Sequence, residues 1–353
     1  KKSVQTKAHI DFVNSYIENQ TENLYNSDDV VAAIDKYHID AIIIGSDAVV
    51  QHHPLLSRIH KGRRKPFYIA HPASERMFPN PFWGCGFADK IPTVMMSVSS
   101  QNSKYSQFSK SLKSRMFETL NNMKYISVRD TWTLNMMKAI GVNQDVKVTP
   151  DPVFAFNYNA GHLVPSEDDI RKRFSLPKDY VLVSLHSQSL TLKTLDELNS
   201  MFKAAGKTCV AFPMPGGVRY QHHFDYEIKV PLSSIDWYAL IKYASGYVGS
   251  NMHPIIVSLH NAVPCFSIDH WGTKDFFNRT VRDGSSKVEH IMGVFGLKNY
   301  VKPIDNDICY VEASVIVDAI QKFPCEHVRK VALDKYDEYL KMMGEIMNII
   351  TTK

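Results

Sequence analysis

Four short polar runs carry the side chains best suited to chemistry, and each follows an apolar stretch: GSD at 45–47, SVSSQNS at 97–103, SVRD at 127–130 and GSNMHP at 249–254. Within SVRD, Arg129 offers a planar fork of N–H donors that fits a phosphate or a carboxylate. From position alone it fits equally a pairing with Asp130 or Asp151. In GSNMHP, His253 stands before Pro254, a residue favoured in the first turn of a helix. An imidazole and open helix-start amides therefore converge where an anion, or a proton near neutral pH, can be handled. A lone histidine at a helix start also serves purely structural ends. Gly45, Ser46, Asp47, Ser100, Ser250, Asn251 and Met252 add amides, hydroxyls and a carboxylate at the same kind of location, and His186, in HSQS, ends another apolar run. The adjacent pairs His52 with His53 and His222 with His223 diverge along an extended chain, which argues against a metal site.

These runs matter because of what precedes them. An unbroken apolar stretch such as AIII before Gly45 is the pattern of a parallel strand covered on both faces, and open α/β sheets collect ligands beyond the carboxyl ends of their strands. The order of elements alternates accordingly. DDVVAAIDKYHI predicts a helix, DAIIIGS a strand, IPTVMMSVSS a strand, QFSKSLKSRMFETLNNM a helix, KYISVRD a strand, TWTLNMMKAIGV a helix closed by Gly141, and DVKVTPDPVF a strand stopped by prolines. Residues 157–179 mix turn residues with charges and read as a linker. A second set follows: YVLVSLHS, a helix over 194–205, TCVAFPMP, a helix around SIDWYALIKYA, GYVGSN, a helix around PIIVSLHNA, and PCFSID as the last strand. The expected fold is α/β, with one α/β domain over 1–165 and another over 176–353. Near the end Leu333, Tyr336, Leu340, Met343 and Met347 recur at steps of three and four, an amphipathic helix expected to dock on the body.

Composition narrows the class. With 353 residues, 44% hydrophobic and 22% charged, the chain is globular and long enough for two cores. A net charge of +5 is mild. Nucleic acid would call for a clustered basic stripe, and the one dense run, HKGRRK at 60–65, is expected in a solvated loop, with phosphate or anionic-lipid contact as its other use. Five scattered cysteines without CxxC spacing suggest reduced thiols and a cytoplasmic protein. No apolar run reaches the length of a membrane span. The chain opens KKSVQTK without Met, so residues upstream are expected to lie outside this sequence. A Walker loop, GxGxxG, GxSxG and HExxH are all missing, which disfavours an NTPase, a common nucleotide-dependent oxidoreductase, an α/β-hydrolase and a zinc protease.

Taken together, DAIIIGSDAVVQ, MMSVSSQNS, YISVRDTWTLNMMKAIGV, VTPDPVF and YVGSNMHPIIVSLHNAVPCFSID resemble the polysaccharide pyruvyl transferase family, in the family's order from residue 40 to residue 269. The resemblance implies a GT-B-like fold, with two Rossmann-like domains facing a central cleft. It also implies transfer of pyruvate from phosphoenolpyruvate (PEP) to two hydroxyls of a saccharide, forming a ketal and releasing phosphate, without cofactor or metal. Arg129 and the helix start at Met252 and His253 match the family's donor-binding positions, and His253 becomes the acid or base. Gly45, Ser46 and Asp47 fall at the rim of the first domain, with Asp47 holding the loop or an acceptor hydroxyl. The acceptor is expected to be a lipid-linked or nucleotide-linked precursor, with peripheral membrane contact at the inner face. Two departures stand out: Asn251 replaces an arginine found two residues before the histidine in many members, and GSDAVV replaces GSDQVW. The family's usual first strand is not in this sequence. A glycosyltransferase using a nucleotide sugar and a non-catalytic saccharide-binding relative are the alternatives.

Overall fold

Short apolar runs bounded by turn residues become strands, and in this chain they assemble into two parallel sheets. The computed structural model describes residues 4–61, 66–71, 76–304 and 308–352. The first sheet contains β1 (Ile42–Ile44), β2 (Thr93–Val98), β3 (Tyr125–Val128) and β4 (Lys147–Val148), in that order and parallel throughout. The second contains β5 (Tyr180–Ser184), β6 (Thr208–Ala211), β7 (Tyr226–Glu227), β8 (Gly246–Gly249), β9 (Cys265–Asp269) and β10 (Val301–Pro303). Its order is β10-β9-β8-β5-β6-β7, again all parallel. From β5 the chain winds one way to β6 and β7, and from β8 the other way to β9 and β10. The loops after β5 and β8 therefore part at a topological switch point, where α/β sheets open a crevice.

The chain divides into two compact units that interleave along the sequence, whereas the expected domains were contiguous. One comprises 1–20, 153–270 and 291–334; the other comprises 21–152, 271–290 and 335–353. The second sheet belongs to the former and the first sheet to the latter. Each has its own core: Val183, Leu195, Phe202, Phe266 and Ile316 in one, and Trp83, Met95, Met116, Ile126 and Met137 in the other.

Three local readings are corrected. Part of the stretch taken as a linker is the helix Glu167–Phe174: Ser166 caps it by accepting from the Asp169 amide, three acids occupy its first turn, three bases its last, and Ile170 is sealed beneath it. That charge order complements the helix dipole, so the same charges that suggested a linker stabilise a helix. PCFSID is not the last strand, because β10 pairs with it at the sheet edge. In the final helix, Cys325–Thr351, the buried positions are Val328, Ala332, Met342 and Ile346, while Leu333, Leu340 and Met347 are each close to half exposed. Met342 and Ile346 pack on Val94 and Tyr125 of the first sheet, so this part of the helix docks through a neighbouring stripe.

Candidate functional site

In the unit built on the first sheet, the polar strand ends converge. β2 ends in a kink: Ser97 has φ +49° and the register to β3 slips between Met95 and Val98. A serine in the left-handed region carries strain, held here by hydrogen bonds. The Ser97 amide donates to Ser127 Oγ at 2.9 Å, and its hydroxyl donates to the Pro150 carbonyl at 2.8 Å. The bulge re-aims the residues that follow. Ser99 Oγ then donates to Asp130 Oδ2 at 2.7 Å, while Asp130 Oδ1 caps the helix Thr131–Ile140 through the Thr133 amide at 2.7 Å. Ser100 is fully buried, with its amide on Thr133 Oγ1 at 2.8 Å.

This framework seats Arg129. Its backbone amide donates to Val98 O at 2.9 Å, and its side chain is only 5% exposed. Nη1 donates to Asp151 Oδ2 at 2.6 Å, and Nη2 lies 3.9 Å from Asp47 Oδ1, beyond hydrogen-bond distance. Buried Nε and Nη2 have no hydrogen-bond partner among the described residues. Asp47 is turned to Arg76, whose Nη1 donates to it at 2.9 Å. Burial pushes the Asp47 carboxyl up, but the Ala48 amide, Arg76 and Arg129 outweigh it and hold the group below its ordinary value. Ser46 donates to Ser97 O at 3.3 Å, and Gly45 is exposed.

Sequence reasoning missed Lys287, a residue of the same unit that opens the helix Lys287–Val294. Its ammonium lies 4.8 Å from the Trp271 ring centroid and makes no hydrogen bond or ion pair among the described residues. Burial, and then the Arg129 guanidinium, push it down to about 8 against the pull of Asp47, Asp130 and Asp151. Ser285, just before this helix, keeps a buried hydroxyl without a hydrogen-bond partner among the described residues. Two cations thus sit close enough to repel each other, with N–H groups still to be satisfied. A ligand with two anionic groups would relieve both. Nothing in the local sequence SSKVEH marks the lysine, because only the tertiary fold brings it to Arg129.

The other unit holds the remaining residues at the switch point. Gly249 ends β8 where a Cβ would fall 2.1 Å from Tyr247 Oη and 2.6 Å from Ser184 O, so only glycine fits. Ser250 is sealed, its hydroxyl without a hydrogen-bond partner among the described residues, and its amide donates to Ser184 O at 3.0 Å. Asn251 precedes the helix Met252–His260 without capping it, its amide group instead meeting the Met214 sulfur at 2.7 Å. Met252 is core. His253 is exposed and lines a cavity of about 430 Å³ with Asn251, Phe156, Trp237 and Tyr238. His186, after β5, is exposed, its ring 5.0 Å from that of His270. Over this cavity lies the unanticipated helix Val4–Tyr16, pinned by Gln5, which donates to Leu232 O and accepts from the Leu232 amide, both at 2.8 Å.

The family model for polysaccharide pyruvyl transferase matches residues 2–272. The chain belongs to this family. Its activity is accordingly PEP-dependent pyruvyl transfer onto a polysaccharide precursor. Lys287 and Ser285 lie outside the matched residues. A search of curated proteins gives no match. Among solved structures, the S. aureus MnaA–UDP co-structure is similar at 12% identity and a TM-score of 0.50, covering 97% of this chain and 88% of that one. UDP-GlcNAc 2-epimerase from Neisseria meningitidis bound to UDP-GlcNAc gives 12%, 0.48, 94% and 76%, and a glycosyltransferase from Rickettsia africae gives 10%, 0.43, 98% and 88%. The likeness is one of fold, GT-B-like α/β.

The structure therefore gathers Arg129, Asp47, Asp130 and Asp151 with Lys287 in one unit, and places His253, Asn251, Met252, Ser250 and His186 around the switch point of the other. Among the described residues no group of three or more His, Cys, Asp or Glu is placed to hold a metal, and no helix is long and apolar enough to cross a membrane.

Proposed function

We propose that this chain forms a pyruvate ketal on a saccharide, with Arg129 and Lys287 receiving the PEP anion and His253 moving the proton. The observation that carries the donor assignment is the buried Arg129 guanidinium, whose Nε and Nη2 have no hydrogen-bond partner among the described residues, together with the Lys287 ammonium that it repels. PEP brings a phosphate and a carboxylate, two groups for two cations. In the reaction, C2 of PEP gains bonds to two acceptor oxygens and loses its bond to the phosphate oxygen. Of the two hydroxyl protons, one ends on the methylene carbon, making a methyl group, and the other leaves with phosphate.

His253 supports the proton step because imidazole exchanges protons near neutral pH, and it lines a cavity whose aromatic walls suit a sugar face. Asp47 is held ionised by its arginines and orients the loop or an acceptor hydroxyl. On this reading the acceptor is a lipid-linked or nucleotide-linked saccharide, and the reaction runs in the cytoplasm, where PEP is made.

The test is incubation with PEP and candidate acceptors, following phosphate release and the mass gain of the ketal. Acceptor-dependent release that disappears in Arg129→Ala and His253→Ala is the expected result. Binding of a nucleotide sugar with no effect of PEP would overturn the reading.

A further inference from the structure

The unit that carries Arg129 also displays an aromatic surface that neither its core nor its chemistry uses. Two short segments build it. Strand Ile59–His60 pairs antiparallel with Tyr68–Ile69, setting Ile59 opposite Ile69. Side chains alternate along a strand, so Phe67 and Ile69 share one face while Tyr68 turns to the His60 ring, 5.7 Å away. Phe67 and Ile69 are 61% and 60% exposed. The second segment is the turn at 275–279. Asp275 closes it by accepting from the Arg279 amide and Nε, both at 2.8 Å, with Asn278 at φ +61°. At its tip Phe276 and Phe277 are 45% and 55% exposed.

The two segments form one patch. The Lys61 amide donates to Phe276 O at 2.7 Å, and His60 Nδ1 lies 2.9 Å from Asp275 O. The Phe67 and Phe276 rings stand 5.7 Å apart, and those of Phe276 and Phe277 5.4 Å apart. Backbone hydrogen bonds hold these rings outward, at the cost of exposing apolar surface to water, and a contiguous exposed patch marks an interaction surface.

Charge selects the partner. Lys61 Nζ lies 5.9 Å from the Phe277 centroid, and Arg279, itself paired with Asp275, lies 5.1 Å from it. In the sequence, Lys61 is followed by three further cations and no acid, Arg63, Arg64 and Lys65, which lie outside the described residues. A second copy of the same patch would set cation against cation. An anionic bilayer meets both features, because aromatic rings settle at headgroup depth while lysine and arginine are drawn to the negative surface.

We propose that Phe67, Ile69, Phe276 and Phe277, flanked by Lys61, dock this chain on an anionic membrane surface. The proposal goes beyond the transferase reading and does not depend on it. Such docking would hold the enzyme where a lipid-linked saccharide is presented.

The experiment is co-sedimentation of the full chain with phosphatidylcholine vesicles, with and without phosphatidylglycerol. The expected result is binding only to the anionic vesicles, weakening as salt is raised. Phe276→Ser with Phe277→Ser is expected to reduce binding at least tenfold, and Lys61→Ala about fivefold, the worth of one basic residue at such a surface. Cooperative thermal unfolding at the parent's midpoint, retained in these variants, confirms that they fold. Equal binding to neutral vesicles, binding unchanged in the double variant, or loss of a dimer rather than of vesicle binding would overturn the proposal. Vesicle binding is read without any transfer reaction, so its failure is distinct from failure of the transferase reading.

Discussion

Arg129 donates one N–H to Asp151 at 2.6 Å, with both side chains almost closed to solvent. This pair anchors the strand ends of β3 and β4 and fixes the guanidinium so that its remaining donors are pre-aimed. Because a buried charge left alone is costly, Arg129→Ala or Asp151→Ala is expected to destabilise the chain by about 3–5 kcal/mol. The double replacement Arg129→Met with Asp151→Leu should recover most of that loss yet bind no PEP. Urea unfolding of the three variants, with PEP titration calorimetry on the double one, checks this. Single variants within about 0.5 kcal/mol of the parent would remove the pair from its structural role.

Lys287 is expected to make PEP affinity and stability respond to pH in opposite directions. Its ammonium is charged below about 8, so affinity for PEP should fall as pH rises through that value. For folding, the unfolded lysine keeps its proton to about pH 10. Between these values the unfolded state binds more protons than the folded one, so unfolding free energy rises with pH from 8 upward and is flat below. Lys287→Met should lose both dependences, gain stability at neutral pH and raise the KM for PEP. A KM profile and denaturant curves across that range decide the matter, and a pH-independent KM in the parent would exclude a titrating lysine from the site.

His253→Gln is expected to lower kcat by about 10²–10⁴-fold, the usual worth of a general acid or base, while leaving PEP binding by calorimetry close to the parent value. A loss of PEP affinity with kcat intact would instead make His253 a donor-binding group.

How much of this was legible depends on the range of the interactions. The strand ends carrying Asp47, Arg129 and His253 could be read because a buried parallel strand advertises itself locally as an apolar run, and its next residues are then placed at the ligand edge. Ser97 could not be read as a bulge, since its φ is imposed by Ser127, Thr149 and Pro150 from neighbouring strands. Nor could Lys287 be found, because the partners that shift it, Arg129, Asp47, Asp130 and Asp151, are all more than a hundred residues away. β10 escaped because three residues at a sheet edge carry no pattern of their own.

The final helix shows how periodicity names a helix without naming its buried face. Leu333, Leu340 and Met347 fit one apolar stripe, and Met342 with Ile346 fits another that differs by a rotation of roughly 140°. The sheet chose the second: Met342 is 1% exposed and Ile346 0%, against 48% for Leu340. Met342→Ala should therefore cost about 2–5 kcal/mol through lost burial and a cavity under β2 and β3. Leu340→Ala should stay within about 0.5 kcal/mol of the parent. Thermal and urea unfolding of the two variants side by side provide the measurement. Equal losses would mean that the exposed stripe is covered in solution, whereas the expected asymmetry ties this end of the helix to the sheet that positions Arg129.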